Sequence, residues 1–172
     1  MPIHVRAQPG DYAEACLLPG DPNRARLIAE KFLEDAVERN TERGLFGYTG
    51  TFAGKPVSVQ ATGIGGPSAA IVIEELIQLG VKRFLRVGTC GALQAYLRHG
   101  DLILALSAVP DDGTSQRYAD GGPIAPTADW DLLHGVVHAA KEIGERISYV
   151  GPIVSTDAVS YTHLTLPTIL RV

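Results

Sequence analysis

Two arginines in this sequence occupy positions where a cation without a partner is unfavourable. Arg24 falls in the first turn of a helix predicted to begin at Asp21-Pro22, a pair typical of an N-cap followed by proline. The positive end of the helix dipole disfavours a cation there by about 0.3 to 1 kcal/mol. The free backbone N–H groups of a helix start attract anions. We therefore interpret Gly20 to Arg24 as an anion site, with a surface arginine beside an ordinary turn as the alternative.

Arg86 is the second such arginine, because it lies inside the apolar segment 84–87 and is followed by Gly88-Thr89-Cys90-Gly91. Burial of an unpaired guanidinium is strongly unfavourable, so a buried Arg86 needs a carboxylate or an anionic ligand. Ligands of open α/β sheets collect at the carboxyl ends of strands, where Arg86 and Thr89 are predicted to lie. We favour the ligand over a buried ion pair with a structural Asp or Glu.

Glycines are concentrated in Gly63-Ile64-Gly65-Gly66-Pro67-Ser68, between a predicted strand and a predicted helix. A dinucleotide-binding G-x-G-x-x-G motif would require glycine where Ser68 stands, and a P-loop would require a lysine. The glycines are better explained by close approach of the backbone to a ligand or of the helix to the sheet. Cys90 has no nearby histidine to activate it and is expected to be a small packing residue.

Strands and helices alternate along the chain, which predicts an α/β sheet covered by helices. The apolar run 102–109 is almost unbroken and is typical of a central strand buried on both faces. The remaining strands are expected at 15–18, 57–62, 84–87 and 147–155, and the helices from Asp21-Pro22, over 68–80 and over 129–144.

Composition narrows the choice of partners. The 172 residues are 45% hydrophobic, enough for one globular domain, and carry a net charge of −4. No run of Lys or Arg indicates binding to nucleic acid or to an anionic membrane, and no apolar run approaches the roughly 20 residues of a membrane helix. Cys16 and Cys90 lack metal-binding spacing, and the start of the sequence lacks signal-peptide features. A cytoplasmic protein with a small-molecule partner and no metal or cofactor is expected.

Taken together, several short motifs resemble the nucleoside phosphorylase family of hexameric type, which includes bacterial purine nucleoside phosphorylases and uridine phosphorylases. They occur in the family's order within residues 1–158. The matching strings are Ile3-His4, Leu18-Pro19-Gly20-Asp21-Pro22 with Arg24, Gly47-Tyr48-Thr49-Gly50-Thr51, Thr62-Gly63-Ile64-Gly65 with Pro67-Ser68, and Arg86-Val87-Gly88-Thr89-Cys90-Gly91-Ala92.

The resemblance implies a three-layer fold, a mixed β-sheet flanked by helices, and phosphorolysis of purine nucleosides to free base and ribose 1-phosphate, a pentosyl transfer without a cofactor. It also implies a dimer-based homohexamer, in which His4 lies near the ribose and Arg43 near the phosphate of the neighbouring subunit. The phosphate-binding residues implied by the resemblance are Gly20, Arg24, Arg43, Arg86, Val87, Gly88 and Thr89.

The purine branch is favoured because Gly44 follows Arg43, where uridine phosphorylases tend to carry a glutamate. The segments 62–68 and 74–80 look equally like the uridine branch. A uridine phosphorylase or a related nucleosidase therefore remains an alternative, and so does an inactive nucleoside- or phosphate-binding module. Release of free base only in the presence of phosphate would distinguish either phosphorylase from a nucleosidase and from an inactive binding module.

The sequence departs from the family after Asp157, its last acidic residue. Family members continue with a glutamate that binds ribose hydroxyls and an aspartate that protonates the purine. We expect a nucleoside phosphorylase domain over 1–158 that is incomplete at the C-terminus, and a tail over 159–172 that resembles translated sequencing adapter and is not native. The catalytic acid is not assigned to this chain, and the chain is expected to be inactive alone.

Overall fold

The computed structural model describes residues 2–157, and the chain divides into two compact units between Thr89 and Cys90. The predicted domain end at residue 158 and the predicted tail 159–172 lie outside the described residues and stay predictions. No helix among the described residues is long and apolar enough to cross a membrane.

The first unit is built on a mixed five-stranded sheet with the order β2-β3-β4-β1-β5. Strand β1 is parallel to both β4 and β5, whereas β2, β3 and β4 are joined in antiparallel fashion. Its elements are β1 (Ala15–Pro19), α1 (Pro22–Phe32), β2 (Glu34–Asn40), a 3-10 turn (Glu42–Gly44), β3 (Gly47–Phe52), β4 (Lys55–Gln60), α2 (Gly66–Gln78) and β5 (Arg83–Val87).

Each face of this sheet carries one helix, because side chains of a strand alternate between faces. Cys16 and Leu18 of β1 pack in one cluster with Leu76 of α2. Leu17, between them, packs on the other cluster, which includes Ala25 of α1. The three layers, helix, mixed sheet and helix, confirm the predicted fold class.

Local signals account for the ends of both helices. The Asp21 carboxylate accepts a hydrogen bond from the Asn23 N–H at 2.9 Å, and Pro22 occupies the first helical turn, as predicted for α1. Helix α2 begins at Gly66, two residues before the predicted start. It ends at Gln78, and Gly80, just beyond the C-cap Leu79, has a φ of +98° that is readily adopted only by glycine.

The second unit contains β6 (Leu102–Asp111), α3 (Gly113–Tyr118), α4 (Trp130–Glu142) and β7 (Ile147–Thr156). Strands β6 and β7 pair in parallel. Helix α4 matches the prediction over 129–144, and Asp129 caps it by accepting from the Leu132 N–H at 2.9 Å.

The prediction that β6 is a central strand buried on both faces is wrong for the described residues. Leu104 is its one buried hydrophobic residue, and Val109 is 51% exposed. Within the described part of this unit, β7 is the strand partner of β6, with one isolated bridge from Ser107 to Thr127. An apolar run indicates that a strand favours burial, but it does not indicate which element covers the strand.

A buried polar contact makes Gly47 intolerant of any side chain. The Tyr12 hydroxyl donates to Gln60 Oε1, and both residues are buried. A Cβ at position 47 would collide with both of those oxygens. We expect Gly47→Ala to lower the free energy of unfolding by roughly 1 to 3 kcal/mol, the usual effect of overpacking. Thermal unfolding followed by circular dichroism measures it. Gly91→Ala, whose Cβ meets open space, is the control, and equal melting temperatures for the two variants would contradict the expectation.

Candidate active site

The carboxyl ends of β1 and β5 meet at one edge of the first unit. Their parallel register pairs Leu18 with Arg86 and Pro19 with Val87. A Cβ at Gly20 would lie 3.1 Å from Arg86 Nη2 and 3.2 Å from the Gly63 carbonyl oxygen. The absence of a side chain at Gly20 thus leaves room for the guanidinium at the edge where three strands end.

Arg86 donates from Nη1 to the Leu18 carbonyl at 2.8 Å and, at 3.4 Å, to Thr62 Oγ1. Within the described residues no carboxylate forms an ion pair with it, so the alternative of a buried structural ion pair finds no support there. Partial burial of the guanidinium, and then the positive charge of Arg24, lower the pKa of Arg86. Two cations therefore lie near each other, and no ion pair in the described residues joins a carboxylate to either of them.

The expectation of a buried Arg86 is wrong for the residue as a whole. The residue as a whole is exposed, although its guanidinium tucks against the backbone of β1. The physical reason is that β5 is the edge strand of its sheet in this unit. Val87 is half-buried, and Gly88 and Thr89 are exposed beyond the strand end. Cys90, expected as a packing residue, is exposed as well.

Arg24 is half-buried in the first turn of α1, as predicted. No salt bridge to Arg24 occurs in the part of the chain that the structure describes. The first turn of α1 contains no acidic residue, and the Asp21 carboxylate that caps it is bound to the Asn23 N–H. The cation at this helix start thus stays available to an anion.

The glycine-rich loop brings backbone close to the same edge. Gly63 and Gly65 have φ values of +72° and +92°, which favour glycine. Ser68 Oγ donates to the Thr62 carbonyl at 2.5 Å and holds the loop against the start of α2. The Gly63 carbonyl oxygen lies 3.2 Å from the position that a Cβ would take at Gly20. Approach of this backbone to a ligand stays a prediction.

His4 is fixed by a carboxylate that the sequence did not indicate. Glu75 of α2 is 8% exposed, and its Oε1 lies 2.9 Å from His4 Nδ1. The same carboxylate accepts from the backbone N–H groups of Ile3, His4 and Val5. Burial alone would raise the pKa of Glu75, but these hydrogen bonds lower it below its usual range.

Arg43 lies in the 3-10 turn with a φ of +54°, a conformation uncommon for a residue with a side chain. Two buried amides hold the end of this turn, since Asn40 Nδ2 and Gln60 Nε2 donate to the Leu45 carbonyl at 2.6 and 2.9 Å. Asn40 Oδ1 also accepts from the Arg6 N–H at 3.0 Å. The Arg43 turn and the segment that contains His4 are therefore tied to each other.

The structure brings the predicted site residues together in two groups. Gly20, Arg24 and Arg86 share the strand-end edge. Glu75 binds His4, and Asn40 joins Arg6, two residues further along the chain, to Leu45 at the end of the Arg43 turn. Among the described residues, no hydrogen bond or ion pair joins the His4 or Arg43 side chain to Arg24 or Arg86.

The described first unit is an α/β mixed sheet with a helix on each face, and two guanidinium groups lie beside neighbouring strand ends, the edge at which ligands of α/β sheets collect. The sequence profile of the phosphorylase superfamily matches residues 14–169. The chain belongs to that superfamily.

Three similar relatives, all from Bacillus, share one name. The chain is 47% identical over 158 residues to the DeoD-type purine nucleoside phosphorylase of Bacillus cereus (strain B4264) and equally to that of Bacillus cytotoxicus. It is 46% identical to the protein of the same name from Bacillus thuringiensis (strain Al Hakam). Each match covers 91% of this chain and 67% of the relative.

The lowered pKa of Glu75 predicts a specific acid sensitivity. A carboxyl group whose pKa is lower in the folded state stabilises the fold fully above its unfolded pKa, near 4.5, and loses that contribution as the pH falls through the folded pKa. We expect Glu75→Gln to be less stable than the wild type at pH 7 and this difference to shrink below about pH 4.5. Urea unfolding at several pH values measures it.

Glu74→Gln is the matched control, because Glu74 is an exposed neighbour on the same helix. The control should track the wild type more closely at every pH. A stability difference for Glu75→Gln that is constant from pH 7 to the acid range would contradict the assignment.

Proposed function

We propose that this chain supplies the phosphate-binding part of a purine nucleoside phosphorylase, which converts a purine nucleoside and inorganic phosphate into free base and ribose 1-phosphate. The observation that carries the proposal is the pair of cations, Arg24 and Arg86, beside joined strand ends with no carboxylate partner in the described residues. The names of the 46 to 47% identical relatives support it.

The proposed reaction is a displacement at the anomeric carbon. The bond from that carbon to the purine nitrogen breaks and its electron pair leaves with the base, while a phosphate oxygen forms the new bond. Arginines suit this task because a guanidinium holds phosphate oxygens with directed N–H groups and stays charged. Held in place beside the sugar, the phosphate also stabilises positive charge that develops on the ribose.

The proposed phosphate set consists of residues at the strand-end edge and one donated residue. Gly20 leaves space for the ligand, and Arg24 and Arg86 supply charge. The last residue of β5, Val87, and the loop after it contribute with Gly88 and Thr89, and Arg43 comes from a neighbouring subunit.

His4 is proposed to reach the ribose of the neighbouring site. Within the described residues, no hydrogen bond or ion pair joins the His4 or Arg43 side chain to Arg24 or Arg86, which is compatible with donation to a neighbouring site. Such donation requires an oligomer, for which we propose the dimer-based homohexamer in the cytoplasm. Reciprocal donation across a two-fold axis would give each pair of chains two composite sites.

The function predicts that Arg86→Ala weakens phosphate binding strongly. Loss of a charged donor to phosphate should raise the phosphate Kd at least about tenfold. Arg83→Ala is the matched control, since Arg83 is on the same strand but, unlike Arg86, has a carboxylate partner, Glu14, at 3.8 Å. Titration calorimetry with inorganic phosphate measures both variants. Equal phosphate affinity for Arg86→Ala and the wild type would overturn the proposed site.

We further propose that the 172-residue chain does not turn over nucleosides by itself, because it offers no carboxylate after Asp157 to protonate the leaving base. Loss of a general acid typically lowers the rate by about 10²- to 10⁴-fold. Joining residues 1–157 to the remaining third of the Bacillus cereus relative should give an active chimera. Release of base from inosine, adenosine and uridine with phosphate measures both proteins.

The same assay separates the branches. Preference for inosine or adenosine supports the purine assignment, whereas preference for uridine would replace it. Ordinary turnover by the 172-residue chain would show that its acid lies within the sequence and that the proposed inactivity is wrong.

A further inference from the structure

Glu75 is an interior carboxylate whose acceptor capacity is taken up by the start of the chain. It receives three consecutive backbone N–H groups, from Ile3 at 3.0 Å, His4 at 2.9 Å and Val5 at 2.6 Å. The His4 imidazole adds a fourth contact, with Nδ1 at 2.9 Å from Oε1. An ionised carboxylate has about four lone-pair positions, so the four donors fill it.

This arrangement determines where the His4 ring carries its proton. An ionised carboxylate only accepts hydrogen bonds, so the hydrogen between Glu75 and His4 sits on Nδ1. In the neutral ring the other nitrogen, Nε2, then has a free lone pair and can only accept. The side chain of His4 is 27% exposed, which leaves part of the ring accessible.

We propose that Glu75 is a positioning residue that holds residues 3–5 and selects the Nδ1–H tautomer of His4, so that Nε2 accepts a hydrogen bond from a ribose hydroxyl. The ribose part rests on the function proposed above. Glu75 itself touches no substrate in this account and acts through His4.

The anchor extends from residues 3–5 to the Arg43 turn. Arg6 donates its N–H to Asn40, and Asn40 in turn donates to the Leu45 carbonyl at the end of that turn. Arg6 Nη1 also lies 3.1 Å from the Glu42 carboxylate. The two residues proposed to enter the neighbouring site are therefore presented by one hydrogen-bonded arm rather than by two independent loops.

The imidazole nitrogens of His4 report directly on this role. In the 172-residue chain labelled with ¹⁵N-histidine, the wild type should show His4 as the Nδ1–H tautomer at a pH where the ring is neutral. Glu75→Gln offers one carbonyl oxygen to four donors, so His4 should shift toward the Nε2–H form that an unconstrained ring prefers. Glu74→Gln should match the wild type, and His4→Gln assigns the signal.

Hydrogen exchange of the backbone amides distinguishes the effect of Glu75 on the His4 ring from its anchoring of residues 3–5. The amides of Ile3 and Val5 should stay protected in His4→Gln, because their acceptor remains, and should exchange about tenfold faster or more in Glu75→Gln. A wild-type His4 that carries its proton on Nε2 overturns the proposal. So does a tautomer that Glu75→Gln leaves unchanged. If Glu75→Gln does not fold, the wild-type tautomer alone decides.

Adding inosine tests the function on which the ribose part rests. A shift of the His4 Nε2 resonance on titration with inosine and phosphate supports contact with the sugar. An unmoved resonance in a chain with the expected tautomer overturns the ribose assignment of His4 and leaves the positioning of His4 by Glu75 established.

Discussion

Parallel pairing of β1 with both of its neighbours is the constraint on which the candidate site depends. Because the three strands run in one direction, their carboxyl ends, at Pro19, Gln60 and Val87, meet at one edge. The Thr62 N–H extends the pairing by donating to the Pro19 carbonyl at 2.9 Å. A side chain such as Arg86 can then donate to the backbone of a strand 68 residues earlier in the sequence. The order and direction of the strands therefore determine where the candidate site lies, more than any single residue does.

Features with local causes could be predicted from the sequence. Asp21 and Pro22 are residue types that favour a helix start, and α1 begins there. Gly80 is a residue type that favours a helix end, and α2 ends just before it. The motif order was sufficient to identify the family and the three-layer fold. The general rule for ligands of α/β sheets predicts Arg86 and Thr89 at the carboxyl end of a strand.

Features that depend on distant partners could not be predicted. Glu75 lies on the buried stripe of α2, and its acceptor role depends on donors 70 to 72 residues away. An acid on an apolar stripe was the one available signal, since a buried carboxylate needs hydrogen bonds. The roles of Asn40 and Gln60 could not be predicted for the same reason. The exposure of Arg86 and of β6 follows from the order of the strands, which apolar runs in the sequence do not encode.

The two cysteines differ in a way that offers a practical tool. Burial raises the pKa of the Cys16 thiol to about 12 and keeps it protonated inside the first unit. Cys90 is exposed and is the first residue of the second unit. Maleimides and similar reagents need a thiol that they can reach, so labelling should be confined to Cys90. The sequence therefore provides a single attachment point for a fluorophore or spin label at the first residue of the second unit, without any substitution.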